Sequence, residues 1–130
     1  IELAARLSGN YFATHHIPMA YGVDIVSSVI KISLGDEINE STVLPKHKKY
    51  LSVRYFFPKQ GKIKEIKGLY KVKSLDYVKM LEIFRKRDEL QPKIEAHAHR
   101  AGTVTCEGLN YNDSIKKAEN AVREIKFIVS

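Results

Sequence analysis

The sequence predicts an α+β fold whose second part is a largely antiparallel sheet with one main helix. Three observations carry this: short runs rich in β-branched and aromatic residues, a well-capped helix near the C-terminus, and an apolar helix early in the chain.

Tyr50-Leu51-Ser52-Val53-Arg54-Tyr55-Phe56-Phe57 reads as a strand that stops at Pro58. Lys59-Gln60-Gly61 makes a turn, and Lys62-Ile63-Lys64-Glu65-Ile66 returns as a half-buried strand ended by Gly68, so a hairpin is expected. Leu69 to Val72 fits a single helical turn, and Leu75 to Phe84 a third strand. Residues 85–95, charged and interrupted by Pro92, are expected to be an exposed loop. Thr103-Val104-Thr105-Cys106 is a strand between Gly102 and Gly108, with Cys106 a small buried filler. Asn110 then caps a helix, Asp113 stands at its N3 position, and Ile115, Ala118, Val122 and Ile125 recur on one face. Lys126-Phe127-Ile128-Val129 closes the chain as a short strand.

Earlier, residues 24–34 read as a helix with Asp24 in its first turn, where a carboxylate suits the positive end of the dipole. Ile25, Val26, Val29, Ile30 and Leu34 give it a wide apolar face, and Gly35 ends it at C′. Such a helix is a wall that holds the preceding loop, Leu7 to Tyr21, against a sheet. From Asp36 to Lys49 the composition turns polar around Pro45, the mark of a linker or surface loop. The expected organisation is therefore residues 1–36, a linker over 37–49, and a second domain over 50–130.

With 130 residues, 44% of them hydrophobic, the chain is long enough for one good core and short for two. No apolar run reaches the roughly 18 residues a membrane span needs, and one cysteine excludes an internal disulfide framework, which suits a soluble cytoplasmic protein with no membrane partner. The formal charge of +7 comes largely from a lysine-rich middle third. Those lysines alternate with Ile63, Ile66 and Val72 instead of clustering with exposed aromatics, so a solvated surface is favoured over nucleic-acid binding. Ile1, already inside a strand-like stretch, suggests that the natural chain begins well upstream.

The chemistry-bearing stretch is Glu2-Leu3-Ala4-Ala5-Arg6-Leu7-Ser8-Gly9. A carboxylate and a guanidinium four positions apart, leaving a strand for a Ser-Gly loop, suit a metal and an anion together; the simpler alternative is an ion pair at a strand end. His15 and His16, adjacent on what reads as an extended segment, face opposite ways and do not chelate one ion, and His16 reads as packing. His97 and His99 share a face if extended, but no third ligand lies nearby in sequence.

Glu2, Arg6, Gly9, His15, Ile17, Pro18, Ala20, Gly22 and Asp24, nine positions across twenty-three, resemble the last catalytic motif of the ATP-grasp ligases. In that motif a strand with Glu-x-Asn-x-Arg leads through a small-residue loop to His-x-Ile-Pro-x-Ala-x-Gly-x-Asp and a helix. Ala4 departs from it, standing where the family has Asn. The Arg54-Tyr55-Phe56-Phe57-Pro58 strand, the return at Gly61-Lys62-Ile63 and the closing helix are similar to the C-terminal domain that follows the ATP-grasp fold in amino-acid ligases and in carbamoyl-phosphate-synthase-like or biotin-carboxylase-like relatives.

The resemblance implies the end of an ATP-grasp catalytic domain followed by a small α+β domain. It implies a parent that joins a small carboxylate to an amine through an acyl phosphate, with ATP as co-substrate and Mg2+ as cofactor. Glu2 would ligate the metal and Arg6 would grip the carboxylate or acyl phosphate as the catalytic arginine. Ser8 and Gly9 would add backbone N–H donors to the anion, and His15 would order the loop or touch substrate. The fragment alone would be inactive. The competing expectation is a non-catalytic basic domain that binds nucleic acid or forms a homodimer.

Overall fold

The computed structural model describes residues 4–130, so Glu2 and the strand expected over the opening residues lie outside the described part. The chain forms two compact units, Ile1–Lys49 and Tyr50–Ser130.

The second unit holds two three-stranded antiparallel sheets. Its elements are β1 (Tyr50–Phe56), β2 (Gly61–Lys67), α3 (Leu69–Lys73), β3 (Val78–Ile83), β4 (Leu90–Gln91), β5 (Gly102–Gly108), α4 (Tyr111–Glu124) and β6 (Lys126–Val129). One sheet has the order β1-β5-β3, the other β4-β2-β6. The central strand β5 is flanked on both edges, so its backbone polar groups are consumed by ladders, and Gly102 to Cys106 are all buried. The core gathers Phe56, Val72, Ala101, Val104, Cys106, Ala118, Ala121 and Ile125. Burial pushes the Cys106 thiol up to about 11, leaving it without thiolate character near neutrality.

α4 begins as expected: Asn110 Oδ1 accepts from the Asp113 N–H at 3.0 Å, and the Asp113 carboxylate reaches back to the Leu109 N–H at 2.8 Å. Its buried face, however, is Ser114, Ala118, Ala121 and the following Ile125, with Ile115 and Val122 only half-buried at the flanks. Small side chains let the helix approach the sheet closely, so the large ones straddle the seam instead of filling it. The Ser114 hydroxyl donates to the Tyr111 carbonyl and accepts from Ser52 on β1 at 2.8 Å, which satisfies both buried hydroxyls.

Two expectations for this unit fail. The hairpin does not form: β1 pairs with β5, while β2 pairs with β4 and β6, so the chain crosses between sheets at Phe57–Gln60. Burying Ser52 and Phe56 under α4 commits β1 to the distant β5, and this packing outweighs the nearness of β2 in sequence. Residues 85–95 are not wholly an exposed loop either, because they contain β4 and the fully buried Gln91. The Gln91 amide donates to the Pro92 and His99 carbonyls at 2.9 and 2.7 Å, pinning an irregular segment through backbone acceptors that composition does not reveal. His97–His99 is a single 3₁₀ turn rather than an extended pair.

In the first unit a π-helical turn (Phe12–His16) runs into α1 (Ile17–Tyr21), followed by α2 (Ile25–Ser33) and a 3₁₀ turn (Glu40–Val43). α2 is capped by Asp24, which accepts from the Ser27 N–H at 3.0 Å, and Gly35 follows with φ +85°. The expected wall is seen only in part: α2 packs against the Phe12–His16 turn with Ile25 and Val26 half-buried, but Ser28 is its one buried residue and Val29, Ile30, Ile32 and the adjoining Leu34 are exposed. The apolar periodicity marks the helix correctly but does not say that this unit covers that face. Among the described residues no helix is long and apolar enough to cross a membrane.

Gly68 joins β2 to α3 at φ +84°, where an added Cβ would lie 2.1 Å from the Glu124 carbonyl oxygen. Gly68→Ala should cost about 3 kcal/mol or more in urea unfolding, from strain plus backbone displacement, against roughly 1 kcal/mol for Gly35→Ala, which has the same φ sign and open space. Equal costs would show that the close approach at Gly68 is not what holds β2 to the end of α4.

Candidate functional site

The candidate residues lie on one loop and the turn after it. The chain is already bending at Arg6, whose N–H donates to the Ala4 carbonyl at 2.8 Å, so the described residues around Arg6 form no strand. The Arg6 side chain is exposed, and a single guanidinium nitrogen, Nη1, is engaged, with the Leu7 carbonyl at 3.3 Å. Among the described residues it makes no ion pair. Among the described residues its other side-chain donors have no hydrogen-bond partner.

Ser8 and Gly9 follow, both exposed. A Cβ added to Gly9 would meet no atom within 4 Å, so no protein neighbour demands glycine there. Asn10 and Tyr11 are both left-handed, at φ 54° and 63°, a conformation unusual for a tyrosine. They turn the chain into the π-helical turn, where the Tyr11 carbonyl accepts from both the His15 and His16 N–H groups at 2.9 and 3.0 Å. π-turns of this kind are frequent at functional sites.

The turn separates the two histidines in a way the extended expectation missed. His15 is exposed, its Nδ1 2.8 Å from the Thr14 hydroxyl and its ring edge-on to Tyr11. His16 is 7% exposed and edge-on to Phe12, in agreement with its reading as packing. Burial, then the neighbouring His15, lowers the pKa of His16. Among the described residues no three His, Cys, Asp or Glu side chains come together to hold a metal ion, at this turn or at His97–His99. No hydrogen bond among the described residues links Arg6, Ser8, Gly9 and His15 to one another; what they share is a common exposed segment.

That segment is held from behind by residues sequence reasoning did not single out. The Lys46 and Lys49 N–H groups donate to the Tyr21 and Ala20 carbonyls at 2.8 and 2.9 Å, and His47 Nε2 lies 3.2 Å from the Met19 carbonyl. Three carbonyls at the end of α1 are thereby satisfied from a stretch more than twenty residues away. Gly22, at φ +69°, leaves room for the His47 ring, which would lie 2.9 Å from a Cβ there. That glycine was the one signal in the sequence, and it does not name its partner. In the basic middle third Lys62, Lys67, Lys71, Lys79 and Arg87 each contact an acidic side chain.

This arrangement, an α+β chain with two small antiparallel sheets, is the fold of the C-terminal region of ATP-grasp ligases. It superposes on the crystal structure of phosphoribosylglycinamide synthetase from Anaerococcus prevotii with a TM-score of 0.79 at 18% identity, covering 100% of this chain and 33% of that one. It superposes on L-amino acid ligase from Bacillus licheniformis with a TM-score of 0.80 at 16% identity, covering 97% of this chain and 31% of that one. The chain thus spans about a third of the length of either enzyme. Residues 54–130 match the family model for L-amino acid ligase C-terminal domain 2, and the chain belongs to that family. No curated protein sequence matches it. The expected recognition, the C-terminal part of an ATP-grasp ligase, stands; the alternative of a non-catalytic nucleic-acid-binding or dimerising domain gains no support from these matches.

Because His16 is buried with a lowered pKa, its protonation favours unfolding. Its contribution is complete above its ordinary value of 6.5 and is lost as pH falls below it. Thermal melts between about pH 7.5 and 5 should show the first unit losing stability, and His16→Leu should flatten that dependence. An unchanged pH profile in the variant would exclude His16 as its source.

Proposed function

We propose that the chain belongs to an ATP-dependent carboxylate–amine ligase that works through an acyl phosphate, and that its loop from Arg6 to Gly9 receives the acid. The observation that carries this is the exposed Arg6 guanidinium at the head of a Ser-Gly loop, which makes no ion pair among the described residues, in a chain of the L-amino acid ligase family. In the first step an oxygen of the substrate carboxylate attacks the terminal phosphorus of ATP and the bond to the ADP oxygen breaks. In the second an amine attacks the acyl carbon, phosphate leaves with its bridging oxygen, and the amine loses a proton as the amide forms.

Arg6 is the catalytic residue in this reading. Its planar fork matches two oxygens of the carboxylate and then of the acyl phosphate, and it stays charged throughout. Ser8 and Gly9 offer backbone N–H donors to the same anion, and the open space at Gly9 allows close approach. His15, steadied by Thr14 and Tyr11, stands one turn further on to meet the substrate. Glu2 would contribute a carboxylate to Mg2+, which binds through one or two carboxylates plus phosphate oxygens and would screen the phosphate charge. The described residues add no further carboxylate cluster, and Ala4 has no donor to offer. With only these groups the chain by itself is inactive, and ATP and the acid and amine substrates meet it in the full-length enzyme.

In the full-length ligase, Arg6→Ala should raise KM for the carboxylate substrate by about 100-fold while changing KM for ATP by less than about 3-fold, with Arg6→Lys recovering only part of the loss. An unchanged carboxylate dependence would refute the role given to Arg6.

A further inference from the structure

We propose that His47 is a positioning residue for the substrate acid, a latch on the end of α1 that fixes where His15 stands. This role rests on the ligase reading and extends it to a residue outside the Arg6–Gly9 loop and the turn that follows.

The π-turn and α1 form one helical rod. Ile17 continues the turn in right-handed helical geometry, and His16 enters α1 in the same way. His15 therefore stands about one turn before Met19 and on the same face. Little burial holds this rod, since Ala13 and His16 are its only buried residues. Its placement falls to the ties at its far end, where the successive carbonyls of Met19, Ala20 and Tyr21 are met by His47, Lys49 and Lys46.

Of those ties, the one to Met19 is made by a side chain. A carbonyl only accepts, so His47 Nε2 carries a proton and donates it across 3.2 Å. The Cε1–Nδ1 edge of the same ring is seated on Gly22, where a Cβ would lie 2.9 Å from Cε1 and 3.0 Å from Nδ1. Gly22 ends α1 at φ +69°, so the residue that stops the helix also makes the notch that receives the ring. Contacts to Met19 and to Gly22 thus fix a side chain that is otherwise exposed. The main-chain ties of Lys46 and Lys49 do not depend on the residue at 47, so the latch can be removed while the strap stays in place.

Without the latch the rod is free to tilt about its left-handed entry at Asn10 and Tyr11, and His15 moves with it. A shift of about 1 Å in a group that meets substrate is enough to cost up to roughly 100-fold in rate.

Steady-state kinetics of the full-length ligase test this, with the proteinogenic L-amino acid that releases phosphate fastest serving as the acid. His47→Ala should lower kcat/KM for that acid about 10-fold while KM for ATP changes by less than about 2-fold. His47→Gln, whose amide N–H reaches for the same carbonyl, should restore at least about half of the loss. Gly22→Ala displaces the ring, so its penalty should shrink at least about 5-fold when residue 47 is already alanine. Hydrogen exchange read by mass spectrometry should be about 5-fold faster over residues 12–22 in His47→Ala, and unchanged in the second unit. An unchanged acid dependence, no rescue by glutamine, or independent effects at Gly22 and His47 would overturn the proposal. Faster exchange with unaltered kinetics would overturn it too, leaving His47 a structural residue only. If Arg6→Ala keeps its effect on the acid while His47→Ala has none, the latch alone fails; if neither has an effect, the ligase reading falls with it.

Discussion

The seam between α4 and β5 is the constraint on which the second unit depends. Gly102 to Cys106 are buried without a break, and their backbone groups are satisfied only because β1 and β3 bond them from both sides. Ser114, Ala118 and Ala121 then bring the helix down onto that strand, and the Ser52–Ser114 hydroxyl pair removes the polar cost of doing so. The same close packing dictates a glycine at 108, where a Cβ would lie 2.2 Å from the Ser114 nitrogen. β2, α3 and β6 are arranged around this seam, with Ile66, Leu69 and Phe127 packed against its core.

The first unit is built on a different balance. Among the described residues its buried hydrophobics are few, Ala13 and Val23, and main-chain hydrogen bonds tie α1 to residues 46–49. The proposed site, built on turns and caps with an exposed guanidinium, suits the capture of anions more than the enclosure of apolar groups. The left-handed Asn10 and Tyr11 and the π-turn that follows carry the local strain of this unit, and they lie between the proposed anion loop and His15.

What could be read from the residues divides along the same line. α4 was legible because Asn110, Asp113 and the apolar repeat are local signals, and β5 because Gly102 and Gly108 bracket a β-branched run. The pairing of β1 was not legible, since a strand's partner is chosen by which face gains burial, and β5 lies about fifty residues away. Nor did the histidine pair declare its π-turn: the separation of His15 from His16 follows from two left-handed residues that are not glycine. The family motif led to Arg6, Ser8, Gly9 and His15, but His47 belongs to no local pattern, and its role comes entirely from tertiary contact.

The proposed activation of a carboxylate by phosphoryl transfer in the parent ligase is read directly by isotope transfer. With the full-length ligase, ATP, an amine and a substrate acid labelled with 18O in its carboxylate, one labelled oxygen should appear in the released phosphate at each turnover. Turnover that leaves the phosphate unlabelled would show that the acid is not activated as an acyl phosphate, and the role given to the Arg6–Gly9 loop would lose its chemical basis.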